Sequence, residues 1–422
     1  MSALPRRASQ YVASRLFTYV GNSVYATIGP LIAATMFDAN AAQIGLITAT
    51  SLVVSLLLRI PVASLADRAI DERRLMIVWG LLAAAVSALT PILWLAGGLN
   101  FWSFLGCVLL AAACSAVLSS VGFRVVNRLA PHGQRTRLVG QLNGAQSVGS
   151  IVGQSFGGLL IGVMPPPLAT LLDSGMSLLG VATMPKMERG AEHGAPAVAV
   201  VPGANPARDQ AVTLVAVWRA ALNSASLRLA ISVGIAGSLL EPVVVLYLLR
   251  VAGLDPAFIG LAFGAGAVGG VLGGAIVGRT VEWAGSRNTM LIGIASMLVG
   301  TVVLLILGDN RGLEFASAAV FELGTAFGGV LIVASAMGEL QEQTDPERIS
   351  RTMTAAAVAM EGTGIAGIGL GALLASVAGL FVPFYVAIAI YALILLYVLV
   401  ATLRDTRRQE AEQRPHTTSV PR

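Results

Sequence analysis

Five charged side chains stand alone inside long apolar runs of this 422-residue chain: Arg59, Asp173, Glu241, Glu322 and Glu361. A carboxyl group in a partly dry setting can take up and release a proton near neutral pH. A buried arginine and a buried acid can also form an ion pair that protonation of the acid splits. Both are chemistries of coupling rather than of bond making. Glu241 is the most informative of the five because Pro242 follows it. Proline has no N–H to offer the carbonyl of Ser238, so a helix here must bend or break, freeing a carbonyl beside the carboxylate. Glu241 is therefore the first candidate for proton coupling, Glu322 the second and Glu361 the third. Each acid could instead be a hydrogen-bonded structural group, a reading that weighs most for Asp173.

The elements that must position these residues are apolar segments. Between Leu16 and Leu403 the chain reads as about twelve stretches of roughly 20 apolar residues, the length an α-helix needs to cross ~30 Å of hydrocarbon. The expected spans are 16–36, 44–66, 75–95, 101–122, 138–163, 168–184, 229–249, 259–278, 288–307, 313–336, 352–377 and 381–403. Hydrophobic residues make up 56% of the chain and charged residues 12%, more apolar surface than a soluble core could hide. The fold class expected is all-α and integral to a lipid bilayer, in two six-helix halves. Residues 1–184 form the first half, 185–228 a linker rich in Gly, Ala and Pro, 229–403 the second half, and 404–422 a polar tail.

Several function classes fall away. The net charge of +5 is not gathered into a basic face with interleaved aromatics, so no nucleic-acid partner is expected. The histidines, His132, His193 and His416, all fall in loops or the tail, which leaves no metal site and no histidine-based catalytic pair within the membrane. No G-x-x-x-x-G-K-[ST] loop exists, and the only lysine is Lys186, which argues against an ATP-driven pump. Gly264, Gly266 and Gly269 form a formal G-x-G-x-x-G, but inside a span rather than after a strand, so it reads as helix packing. Cys107 and Cys114 lie seven residues apart on one helix, about 10.5 Å along its axis and too far for a disulfide. Neither enzyme activity nor a cofactor is expected.

Arginine placement sets the expected orientation. The short loops on the side of the N-terminus hold Arg68, Arg73, Arg74, Arg124, Arg128, Arg135, Arg137, Arg279, Arg287, Arg348 and Arg351, whereas the opposite loops hold Arg250 and Arg311. Per loop residue that is about a fourfold bias, placing both termini in the cytoplasm.

Two segments about 215 residues apart repeat each other, each closing the second span of its half. The second runs Gly278, Glu282, Gly285, Arg287; the first has Ala63, Asp67, Arg68, Arg73 and Arg74. Here the chain resembles the major facilitator superfamily, whose motif between helices 2 and 3 is G-x-x-x-D-R-x-G-R-R, echoed between helices 8 and 9. The first copy departs by Ala63 for Gly and by Ile70, Asp71 and Glu72 in place of the Gly turn. Finer matches resemble the branch holding macrolide-efflux proteins and the enterobactin exporter: Asp67-Arg68 with Arg73 to Met76, the run Leu142 to Ser147, Leu171 to Asp173, and Glu347, Arg348 and Arg351. The exporters' G-x-x-x-G-P-x-x-G-G of helix 5 appears as Gly149, Gly153, Gly157 and Gly158, with Gln154 replacing Pro.

The resemblance implies twelve helices with helices 1, 4, 7 and 10 around a central cavity, which would place Glu241 and Glu322 on the substrate path. It implies a cavity lined in the first half by Tyr19, Asn22 and Tyr25, with Asn143 and Gln146 as further candidates. Asp67, Arg68, Arg74, Arg124, Glu282 and Arg287 would brace a cytoplasmic gate, Asp67 against Arg124 or Arg128. Arg59 and Glu361, at matched depth on helices 2 and 11, would pair across the halves; alternatively each satisfies groups of its own half. The glycines Gly149, Gly153 and Gly157 would slide against the stripe Gly266, Gly270 and Gly274. The implied activity is secondary transport: export of an amphiphilic small molecule, driven by a proton gradient through alternating access, by a monomer in a bacterial cytoplasmic membrane. Import or facilitated diffusion on the same fold is the alternative, and the missing proline of helix 5 favours it.

Overall fold

The computed structural model describes residues 6–68, 71–129, 135–186, 224–310, 312–344 and 349–412; most of the expected linker lies outside these. Every element among the described residues is helical. In hydrocarbon a backbone must satisfy its own N–H and C=O groups, and a helix does so within one segment. The first half comprises α1 (Arg6–Met36), α2 (Ala41–Arg68), α3 (Glu72–Leu95), α4 (Phe101–Leu129), α5 (Arg135–Val163), α6 (Pro166–Ala169) and α7 (Leu171–Ala182). The second comprises α8 (Ala225–Ser238), α9 (Glu241–Arg250), α10 (Pro256–Leu307), α11 (Glu314–Glu342), α12 (Ile349–Ala378) and α13 (Val382–Glu412). Eight helical stretches among the described residues are long and apolar enough to cross a membrane. One of them, α10, spans 52 residues, which as a straight helix would reach about 78 Å, more than twice the hydrocarbon thickness. It folds back at Gly285, whose φ of 82° only glycine adopts without strain. The second glycine of the repeated motif is thus the reversal between the eighth and ninth spans. With α6 and α7 as one span, α8 and α9 as another, and α10 as two, the described residues hold the expected twelve.

Helix starts follow local chemistry. Before α2, the Asn40 and Gln43 side chains each accept the other's backbone N–H, at 2.9 and 3.0 Å; Asn100 and Ser103 do the same before α4. Such reciprocal caps satisfy donors that the first helical turn cannot. Asp255 caps α10 through the Ala257 N–H at 2.9 Å, with Pro256 at the first helical position.

Within the first half α1 packs on α5 and α7, α2 on α4, and α3 on α4 and α7; in the second, α10 packs on α11 and α8 on α12. The halves meet where α5 packs on α10 and α2 on α12. One hydrophobic cluster draws from both halves, joining Ile28, Ile44 and Phe104 to Val245, Ile259 and Phe384. At the end nearer the termini, each cluster belongs to a single half: Tyr11, Met76, Val121 and Leu142 in one, Leu227, Leu340 and Ala356 in the other. Among the described residues the two halves are therefore fastened at the end away from the termini. The glycines at that fastening are not those the spacing predicts. Gly149, Gly153 and Gly157 pack on α1, against Tyr19, Val20, Ser23 and Thr27. Gly266 faces Glu322 of α11, and Gly274 has open space around it. The cross-half contact uses the next face along: Gly158 lies against the backbone of Gly260, and Gly264 against Ser155. The adjacent residue on a helix points about 100° away, so Gly157 and Gly158 serve different neighbours.

Candidate functional site

The seventh span breaks where Pro242 predicts. Helix α8 ends at Ser238, Leu239 and Leu240 turn back onto the carbonyls of Ile235 and Gly237 at 3.0 Å, and α9 begins at Glu241. The break is seated on α12. A methyl at Gly371 would strike the Leu239 carbonyl, and one at Gly367 would come within 2.8 Å of the Ile235 carbonyl oxygen. These glycines were not singled out in the sequence, although their four-residue spacing marks a helix that a neighbour approaches closely. Glu241 heads α9 on the accessible surface of the helix bundle, while the residues after it, Pro242–Leu248, are buried. An acid halfway along an apolar span is costly to keep charged in hydrocarbon, which makes Glu241 a functional candidate.

Glu322, on α11, is partly buried. Its Oε2 lies 3.1 Å from the point a methyl would occupy at Gly266, so the glycine makes room for the carboxyl. Glu241 and Glu322 lie within range of each other's charge. The structure therefore brings the first two proton-coupling candidates together. Glu361 is partly buried on α12. The side chain of its expected partner, Arg59, lies outside the described residues, as do those of Asp67, Arg68 and Arg124.

A cavity of ≈ 270 Å³ opens in the first half among α1, α2 and α4, with Asp173 of α7 at its edge. Asn22 and Tyr25 line it, together with Ser51 and Ser115. Tyr19 does not; its backbone and Cβ lie against Gly149, and its ring carries the Arg15 guanidinium 4.9 Å from its centroid. Asn143 and Gln146 are exposed on α5 and lie outside this cavity.

The departures from the motif in the first half prove structural. Asp71 is the N-cap of α3, accepting the Arg74 N–H at 3.1 Å, and buried Glu72 pairs with Arg128. Arg128 is thereby tied to Glu72. Arg74 itself is exposed, and Arg73 donates to the Pro185 carbonyl at 3.1 Å. In the second copy Glu282 is exposed, and Arg287 donates to the Val398 carbonyl at 3.3 Å.

Residues 12–366 match the family model described as Major Facilitator Superfamily. The structure is similar to that of the nucleoside transporter NupG, with a TM-score of 0.71 at 11% identity over 94% of this chain and 99% of that one. It is similar to a bacterial homolog of the human lysosomal transporter Spinster, at TM-score 0.66 and 15% identity over 95% and 98% of the two chains. A bacterial homologue of the iron transporter ferroportin gives TM-score 0.66 and 15% identity over 94% and 99%. No curated protein matches the sequence.

Proposed function

Because the chain belongs to the major facilitator superfamily and is a membrane transporter rather than an enzyme, we propose that it exports amphiphilic small molecules, such as an antibiotic, a siderophore or a secondary metabolite. Proton entry drives the export through alternating access. One observation carries this reading: an exposed acid, Glu241, at a proline break in the middle of the seventh span, within reach of the charge of Glu322. A broken helix frees backbone carbonyls at membrane depth, and an acid beside them can alternate between protonated and charged forms as access changes. The apolar cavity with its few polar groups suits an amphiphilic organic molecule better than a sugar or an inorganic ion. The resemblance to macrolide-efflux proteins and the enterobactin exporter supports export. On this reading the protein works as a monomer in a bacterial cytoplasmic membrane with both termini inside, and Arg59 and Glu361 close its cytoplasmic side.

Import or facilitated diffusion is the second reading, favoured by α5, which runs as one helix over Arg135–Val163 with Gln154 where the exporters' motif has proline. Proton movement in energised inverted vesicles distinguishes them, with macrolides, other drugs and siderophores added in turn. Substrate-dependent collapse of the pH gradient in wild type but not in Glu241→Gln supports proton-driven export. A response retained in the variant moves coupling to Glu322 or Glu361. Silence across the panel favours import or facilitation.

A further inference from the structure

Asp173 is a buried acid that no cation among the described residues neutralises. It is 4% exposed, sits in the first turn of α7, and enters no ion pair among the described residues. One carboxyl oxygen, Oδ2, accepts the hydroxyl of Ser87 on α3. The other, Oδ1, has no hydrogen-bond partner and is turned to α1 at Gly21, where a methyl would collide with it. The groups around it are neutral. Helix α1 presents Tyr25 and α3 presents Ser87; beyond them Thr90 of α3 and Cys107 of α4 face Tyr25, and Ser174 follows on α7. The hydroxyl of Ser174 is itself buried without a partner, and those of Tyr25 and Thr90 face each other. On α1, Arg15 lies six residues before Gly21, about 9 Å along the axis, stacked on Tyr19.

A carboxylate in such a place has lost its water and gained one hydroxyl. The positive end of α7 returns a fraction of that loss, and no N–H of the helix points at the free oxygen. A neutral carboxyl needs less: its Oδ2 still accepts from Ser87, and no charge is left buried. The cavity lined by Asn22, Tyr25 and Asp173 is wide enough for several waters and provides a route for exchange.

We propose that Asp173 is a proton-binding site of the first half, separate from the Glu241 and Glu322 acids of the second. In loading, a hydronium ion in the cavity gives its proton to the carboxylate, an O–H bond forms on Oδ1, and a water molecule is left behind. Release reverses this when α1 and α7 shift and water reaches the oxygen. A transport cycle that uses both halves then moves protons at two places, one in each.

Infrared spectroscopy of the full chain in lipid nanodiscs, taken from mildly alkaline to mildly acidic pH, tests this without any substrate. The wild type should show the carbonyl stretch of a protonated carboxyl, shifted in D₂O, and Asp173→Asn should lack that component while Glu241→Gln and Glu322→Gln retain it. Ser87→Ala, which removes the hydrogen bond to Oδ2 but leaves the acid, should move the same band to higher frequency. An Asp173→Asn spectrum identical to wild type overturns the proposal. So does a Ser87→Ala spectrum without the shift, even if Asp173→Asn fails to fold.

Discussion

Glu72 occupies a position where the superfamily's motif has a turn, and in the sequence it reads only as a departure. In the structure it is 7% exposed and paired with Arg128, while Asp71 beside it caps α3. The pair could not be found from spacing, since its members lie 56 positions apart on different helices. Asp71, beside Glu72, likewise stood in the sequence only as a departure, although an aspartate just before an apolar run is an N-cap signal. Glu72→Ala should leave a largely buried guanidinium short of a partner. We expect a loss of about 1–3 kcal/mol, read as a lowered thermal unfolding midpoint in nanodiscs, with Glu72→Gln losing less because it keeps an acceptor. Equal midpoints for all three proteins would show that the pair is idle.

At the scale of elements, the break in the seventh span was legible because its cause is local. A proline removes one donor at a known offset, whatever surrounds it. What receives the broken segment was not legible, because it depends on which face of the eleventh span turns inward. Gly371 and Gly369 on α12 make that distinction measurable. A methyl at Gly371 meets the Leu239 backbone, whereas at Gly369 it meets nothing within 4 Å. Gly371→Ala should cost about 1–3 kcal/mol, because a backbone cannot swing aside as a side chain can. Gly369→Ala should gain about 0.5–1 kcal/mol from the lower flexibility of the unfolded chain. Opposite signs in a thermal unfolding series support the seating of the break on α12; two gains would refute it. The same reasoning explains the misassigned glycine stripe. A four-residue repeat advances about 40° per step around a helix, so spacing identifies a row of small residues without saying which neighbour it meets.

For the whole molecule, the half-chain repeat and span count conveyed the architecture, but not which end of the bundle is fastened. That depends on where apolar side chains from opposite halves meet, which one-dimensional spacing does not encode. The fastening combines the cross-half cluster, the Gly158–Gly260 contact and an exposed ion pair at 2.5 Å between Arg250 and Asp38. The ion pair, with Asp38 93% exposed, contributes at most about 1 kcal/mol. The glycine contact should matter more. Gly158→Ala is expected to push the halves apart, lengthening the distance between spin labels at positions 102 and 313, both exposed at that end. Gly274→Ala, with open space around it, should leave the distance unchanged. An unaltered distance in Gly158→Ala would mean the contact does not hold the halves.

That contact also bears on how fast the halves part. Where side chains interlock, separation requires each to find a new rotamer, and the resistance is a sum of small enthalpic steps. Gly158 and Gly260 meet as bare main chain, with nothing to disengage. Parting at that joint requires no rotamer change, so the resistance to separation falls on the side chains packed around it, Ile28, Ile44 and Phe104 against Val245, Ile259 and Phe384.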